Sequence, residues 1–201
     1  MKTIRLLAIL CALLLCFSAA AAETTQPQYA DSFVFRNGIT WQSNAADIIA
    51  AEGQEPESTG SDGAGGESLI WEPASVSNYS GQLFYLLKDD VLYGAIYSFS
   101  ELPVEGAAYH LSVLLPEDTA YLVNALSSKY GEPAAVSKER LLTLLNLISP
   151  VGDSEVSAAA NWELADGTYI AAFHIGDVFF ILYCNEAPFL EACGVYNTSG
   201  L

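Results

Sequence analysis

Basic residues are scarce in this chain. Seven Lys and Arg stand against 24 Asp and Glu, a net charge of −17 at neutral pH. A surface of that sign repels phosphate backbones and anionic headgroups, which argues against nucleic acid and acidic membranes as partners. Histidine is equally sparse, with only His110 and His174, so a zinc site or a histidine general base has little to draw on. No Gly-x-Ser-x-Gly or Ser-x-x-Lys occurs, which removes two nucleophile signatures. Gly131 is followed by Glu132, and no Gly-Lys loop to cradle phosphate exists. The four cysteines include no Cys-x-x-Cys pair. Asp62 and its neighbours Glu55, Glu57 and Glu67 match neither the EF-hand nor the Gly-Gly-x-Gly-x-Asp calcium pattern. From these absences we expect neither metal nor cofactor.

The N-terminus is written differently from the rest. Lys2 and Arg5 precede an apolar run from Ile4 to Phe17, and small residues follow from Ser18 to Ala22. This is the pattern of a secretory signal peptide cleaved after Ala22. Leu10 and Leu15 precede Cys11 and Cys16, where a lipobox would need a small residue. The expected product is secreted or extracytoplasmic, and no later stretch is long and apolar enough to span a bilayer. Removing residues 1–22 leaves five bases against the 24 acids, a charge of −19. Cys184 and Cys193 also remain. Outside a reducing cytosol they are candidates for a disulfide, with two separate thiols as the alternative.

Residues 23–32 read as a polar leader. Beyond it, a unit is written twice. Ala45 to Tyr97 and Tyr121 to Tyr183 each carry an apolar-periodic stretch closing on Gly and then Pro, namely Gly53 to Pro56 and Gly131 to Pro133. Each continues through a Trp-centred segment, at Trp71 and Trp162, into two strand-like runs meeting at a turn that exits through Asp-Val. Asn44 or Ser43 is suited to cap the first helix, and Glu117-Asp118 open a second that runs to Lys129. Lys138 to Ile148 reads as another helix. Ala107 to Leu115 reads as a strand, and Gln54 to Ser68 as a flexible acidic loop. The expected fold class is α+β: two helix-plus-antiparallel-meander repeats forming one curved sheet, with the helices packed on one face. Residues 33–115 make the first half, 116–184 the second, and 185–201 a C-terminal tail.

Strand alternation puts Val91, Tyr93, Ala95, Tyr97 and Phe99 on one face. Tyr85, Tyr93, Tyr97, Tyr169 and Phe173 are the candidate partner-binding residues, because tyrosine contacts apolar groups while keeping a solvated hydroxyl. Catalytic candidates are weaker. Cys184 with His174 is a conceivable thiolate pair, and Glu163 with Asp166 a conceivable carboxylate pair. We assign no catalytic residue.

A helix closing on Gly before an antiparallel meander, twice over, resembles the β-lactamase-inhibitor-protein-like fold. Gly38-Ile39-Thr40-Trp41 with the helix Asn44 to Gly53 also resembles the opening of the SmpA/OmlA group of outer-membrane-assembly lipoproteins, although Trp41-Gln42 replaces their usual Gly-Met. The resemblance spans residues 33–184 and implies protein binding without catalysis. The expected function is therefore a secreted, non-catalytic protein-binding module of the bacterial envelope or exterior, acting through an aromatic sheet face. A small extracellular hydrolase acting on cell-wall or polysaccharide material is the alternative.

Overall fold

The structure, a computed structural model, describes residues 33–61, 66–100, 112–148, 152 and 155–193. The expected signal peptide and leader, Asp62 and His110 lie outside them. The protein is α+β, built on a seven-stranded antiparallel sheet with four α-helices among the described residues. The strands are β1 (Ser58–Ser61), β2 (Glu67–Val76), β3 (Tyr79–Lys88), β4 (Val91–Ser100), β5 (Val156–Glu163), β6 (Thr168–Ile175) and β7 (Val178–Asn185). The helices are α1 (Ala45–Glu52), α2 (Pro116–Tyr130), α3 (Lys138–Ile148) and α4 (Glu186–Ala192). Spatial order is β1-β2-β3-β4-β7-β6-β5, so two meanders meet back to back at the β4–β7 pair.

Local signals account for most of these elements. Asn44 and Asp47 form a reciprocal capping box on α1, and Gly53 closes that helix at φ 72°, a left-handed conformation that suits glycine. The β3–β4 turn places Asp89 and Asp90 at φ 50° and 63°, as a tight hairpin turn of the right twist requires. Asp90 then accepts from the Ala45 amide at 3.0 Å, tying the start of α1 to that turn. In α2, Leu122, Leu126 and Tyr130 recur every four residues and form its buried stripe. Asp118 accepts from the Leu115 amide at 2.9 Å and holds the first turn.

Each sheet face has its own apolar cluster. The upper cluster gathers Trp71, Tyr85, Tyr97, Trp162 and Tyr183 from the strands with Ile48 of α1 and the α2 stripe. The lower gathers Tyr93, Tyr169, Phe173 and Leu182 with Leu141, Leu144 and Leu145 of α3 and Phe189 of α4. The helices thus cover both faces, not one. The physical reason is the sheet's composition: strands such as β6, buried along most of their length on alternating sides, leave no face polar enough for water.

Three further expectations are corrected. The acidic loop is partly ordered, since Ser58–Ser61 pairs with residues 67–70 as a fully exposed edge strand. Part of the expected C-terminal tail forms α4, whose Phe189 is buried. Tyr93 does not share a face with Tyr97. The ladder passes from Leu86↔Gly94 to Leu87↔Leu92 and leaves Tyr93 as the extra residue of a bulge, which turns it to the lower side. Of the expected strand Ala107 to Leu115, residues 112–115 are irregular and the rest lies outside the described residues.

The N-terminal segment 33–41 is a strap across the upper face. The Phe33 amide donates to Asp166 at 2.6 Å, and the Trp41 indole N–H donates to Thr168 at 2.8 Å in a buried contact. Phe33 stacks on Trp41 at 4.6 Å, and Phe35 meets Tyr183 edge-on at 5.0 Å. Between this strap and α2 the upper cluster is left open.

Candidate binding pocket

That opening is a pocket of about 380 Å³. Its floor is Tyr97 of β4 with Ile181 and Tyr183 of β7. Phe35 and Arg36 form one wall, and Leu122, Leu126 and Lys129 of α2 the other. The β2–β3 turn, residues 75–77, closes one end. Apolar side chains with a few convergent polar groups are the usual makeup of a small-ligand site, and the volume lies within the range of such sites.

The two cations here are held very differently. Arg36 is fully engaged: its Nε pairs with Glu52 at 3.2 Å, and its Nη1 donates to the Tyr97 hydroxyl at 3.3 Å and to the Ser75 carbonyl at 3.4 Å. Glu52 also accepts from the Tyr85 hydroxyl at 2.5 Å and from Asn37 at 3.4 Å. Burial acts to lower the Arg36 pKa, but Tyr97 and Glu52 outweigh it and the net direction is up. Arg36 and Glu52 together therefore contribute no net charge.

Lys129 has no hydrogen bond or ion pair among the described residues. The residue as a whole is exposed, yet its ammonium lies 4.9 Å from the centroid of the Tyr130 ring. Loss of hydration lowers its pKa below the ordinary lysine value, and no carboxylate counters this. Among the described residues the pocket thus carries one positive charge without a carboxylate partner, on a chain of net −17.

The phenols stay protonated. Burial pushes Tyr97 up to about 12 despite the opposing Arg36. It does the same to Tyr130, which is hydrogen-bonded to Tyr183. Tyr183 is raised further, again by burial first. All three are neutral donors at physiological pH.

The partner-binding residues expected from the sequence are located elsewhere or point inward. Tyr85, Tyr93, Tyr97, Tyr169 and Phe173 are each at most 4% exposed. Tyr85 and Tyr97 belong to the upper cluster, and Tyr93, Tyr169 and Phe173 to the lower. No open aromatic sheet face unites them, because helices cover both sides, and only Tyr97 lines the pocket. Cys184 and Cys193 form no disulfide with each other; Cys184 lies in the lower cluster and Cys193 packs against it, with the buried Cys184 thiol pushed well above its ordinary pKa by desolvation.

The conceivable catalytic pairs are not assembled. Cys184 pairs across the ladder with Tyr169, five positions from His174, which separates the two by roughly 16 Å along the strand. Glu163 pairs with Arg140, while Asp166 accepts from the Phe33 and Thr168 amides. Among the described residues no three His, Cys, Asp or Glu side chains cluster as metal ligands. No described helix is long and apolar enough to cross a membrane.

No motif marks Arg36, Lys129, Tyr130 or Tyr183. The one signal in the sequence is the rarity of the two cations, since Arg36 and Lys129 are two of five bases beyond residue 22, whereas tyrosine occurs 11 times. Compared with protein-family models, curated proteins and solved structures, the chain matches none of them.

Proposed function

We propose that this protein is an exported, non-catalytic binding module of the bacterial envelope or exterior, and that it takes an apolar group of its partner into the pocket between the N-terminal strap and α2. The observation that carries this reading is the pocket's composition: apolar walls, phenol donors on the floor, and an ammonium with no described counter-ion. A cation left unpaired beside apolar surface costs stability, and such costs are commonly retained where a ligand relieves them. Binding is also what the resemblance to the β-lactamase-inhibitor-protein-like fold implies; the site is what moves.

The same proposal includes the tandem arrangement. Two helix-plus-meander units, α1 with β2–β4 and α2 with β5–β7, would meet at β4 and β7. One parallel supports it. Trp71 donates its indole N–H to the Gln54 carbonyl at 3.3 Å, and Trp162 donates to the Gly131 carbonyl at 2.9 Å. Each bond ties the first strand of a meander to the end of the preceding upper-face helix. The pocket then straddles the junction, with Tyr97 and Tyr183 at the meeting strands.

The test uses a neutral apolar dye, N-phenyl-1-naphthylamine, and the variant Ala125→Trp, which fills the pocket from α2 without removing a core contact. The folded chain should bind one dye molecule, and Ala125→Trp should weaken binding by about tenfold or more with little change in Tm. Absence of dye binding, or equal affinity in the filled variant, would sink the proposal.

A further inference from the structure

The binding reading leaves the ligand's chemistry open, and the pocket's charge constrains it. Arg36 is neutralised by Glu52, so the site offers one positive charge, that of Lys129. A dianion such as a phosphate monoester would bring one charge more than the site can balance, on a chain already strongly negative. A cationic ligand would face the unpaired ammonium. A sugar would find polar partners in Asn37, Ser75 and Ser77, but would set its remaining hydroxyls against Phe35, Leu122, Leu126 and Ile181. A monoanion with an apolar body satisfies every wall.

Geometry adds a second donor. The Tyr97 hydroxyl accepts from Arg36 and has no other hydrogen bond among the described residues, so its own proton is available to an oxygen. Lys129 and Tyr97 line the same pocket, and a carboxylate is the common anion with two oxygens on one charge. Size and surroundings favour a free small molecule over a chain end. The volume is about 380 Å³, and the floor strands β4 and β7 are paired to neighbours on both sides. No strand edge is therefore offered to a peptide backbone.

We infer that the pocket binds a small apolar monocarboxylate, with its carboxylate on Lys129 and Tyr97 and its hydrocarbon body against Phe35, Leu122 and Ile181. This rests on the binding reading above. One consequence concerns Lys129 itself. A bound carboxylate supplies the counter-charge that this lysine lacks, so binding should raise its pKa back toward the ordinary lysine value.

Calorimetry with the full folded chain tests the inference, using octanoate, 1-octanol and octylammonium as probes. Octanoate should bind about tenfold or more tightly than 1-octanol, because only it meets the ammonium with a charge. Octylammonium should not bind. Lys129→Gln should erase the preference for the acid over 1-octanol, and Lys129→Arg should retain it. Octanoate no tighter than 1-octanol, or a preference that survives Lys129→Gln, overturns the inference. If 1-octanol and the neutral dye bind while octanoate gains nothing, the ligand class fails and the binding reading stands. If dye, alcohol and acid all fail to bind, both fall. A short peptide with a free C-terminal Leu that binds more tightly than octanoate overturns the assignment to a free small molecule.

Discussion

Helices pack on both faces of the sheet, but with different materials. The upper face is aromatic and hydroxyl-rich. Phe33, Phe35, Trp41, Tyr85, Tyr97 and Tyr183 pack ring against ring beneath the strap, and the Arg36–Glu52 pair runs through them. The lower face is closed by leucines of α3 and by Phe189 of α4, with one clamp, Arg140, joining the two helices' surroundings to β5. Aliphatic side chains conform and fill space, whereas rigid rings with hydroxyls that need partners leave gaps where a partner is absent. The pocket between the strap and α2 lies on the side whose rings carry most of the hydroxyls. The difference sets the candidate pocket, with its phenols and ammonium, apart from the clefts on the lower side beside Tyr93 and over Phe84.

Alkaline pH should produce the largest loss of stability, and its onset separates the two faces. On the upper face Tyr97 and Tyr130 sit at about 12, and Tyr85 and Tyr183 higher, all raised first by burial. The unfolded chain loses these protons near the ordinary phenol value of 10.0. Above that pH the unfolded state binds fewer protons than the folded one, so stability falls as pH rises. The contribution is complete below about 10 and is lost progressively toward the folded values. Each tenfold change in a proton-binding equilibrium is worth about 1.4 kcal/mol, so Tyr97 and Tyr130 alone remove several kcal/mol. The lower face contributes Tyr169, likewise pushed up to about 12 by burial, and Cys184, whose unfolded reference is 9.0 and whose folded value is raised by burial. Urea denaturation across about pH 8 to 12 should therefore show loss beginning near 9, and Cys184→Ala should delay the onset toward 10. Stability that stays flat through this window would mean the phenols are not buried as described.

Single-site truncation comes next in size. Trp162 is fully buried and its indole bonds to the Gly131 carbonyl. Trp162→Ala should cost about 4–5 kcal/mol, the upper end for a large aromatic that leaves a cavity and an unpaired carbonyl. Leu144→Ala on the lower face should cost less, about 2–3 kcal/mol, since only aliphatic contact is lost and α3 can settle inward. Chemical denaturation measures both. Equal costs would remove the contrast between a rigid and a compliant face.

Much of this architecture is legible residue by residue. Asn44, Gly53, Asp89-Asp90 and the Pro116-Glu117-Asp118 opening are short-range signals, and each stands where the chain turns or caps. What local reading misses depends on distant partners. Alternation assigns Tyr93 to the wrong face because a bulge depends on how β3 and β4 pair, which periodicity does not encode. β1 reads as loop because Ser58-Thr59-Gly60-Ser61 has little apolar content and is ordered by its ladder with β2. The aromatic surface misleads for a third reason. Tyrosine is equally suited to an interface and to a core with a hydroxyl partner, and Glu52 and Arg36 supply that partner from far along the chain. The candidate site is the least legible part, because its lysine is distinguished by what does not pair with it.

The smallest effect gives the sharpest comparison, since it sets one cation from each face against the other. Arg140 donates to Glu163 and to Glu186 and covers the Tyr169 ring at 4.4 Å. Arg140→Leu should destabilise by about 1–2 kcal/mol, an amount limited by the partial exposure of the pairs. Among the described residues Lys129 has no such partners, and its pKa is lowered by desolvation, so at neutral pH the desolvation of its charge opposes folding. Solvent screening of this exposed residue keeps the effect small. Lys129→Leu should raise stability by a few tenths to about 1 kcal/mol, the gain from removing a desolvated charge less the ring contact of about 0.5 kcal/mol. Thermal denaturation of the two variants should therefore shift Tm in opposite directions. A Tm that falls in both would make Lys129 a structural residue like Arg140. A rise in Lys129→Leu together with lost preference for octanoate over 1-octanol would identify a charge that the fold tolerates and the ligand uses.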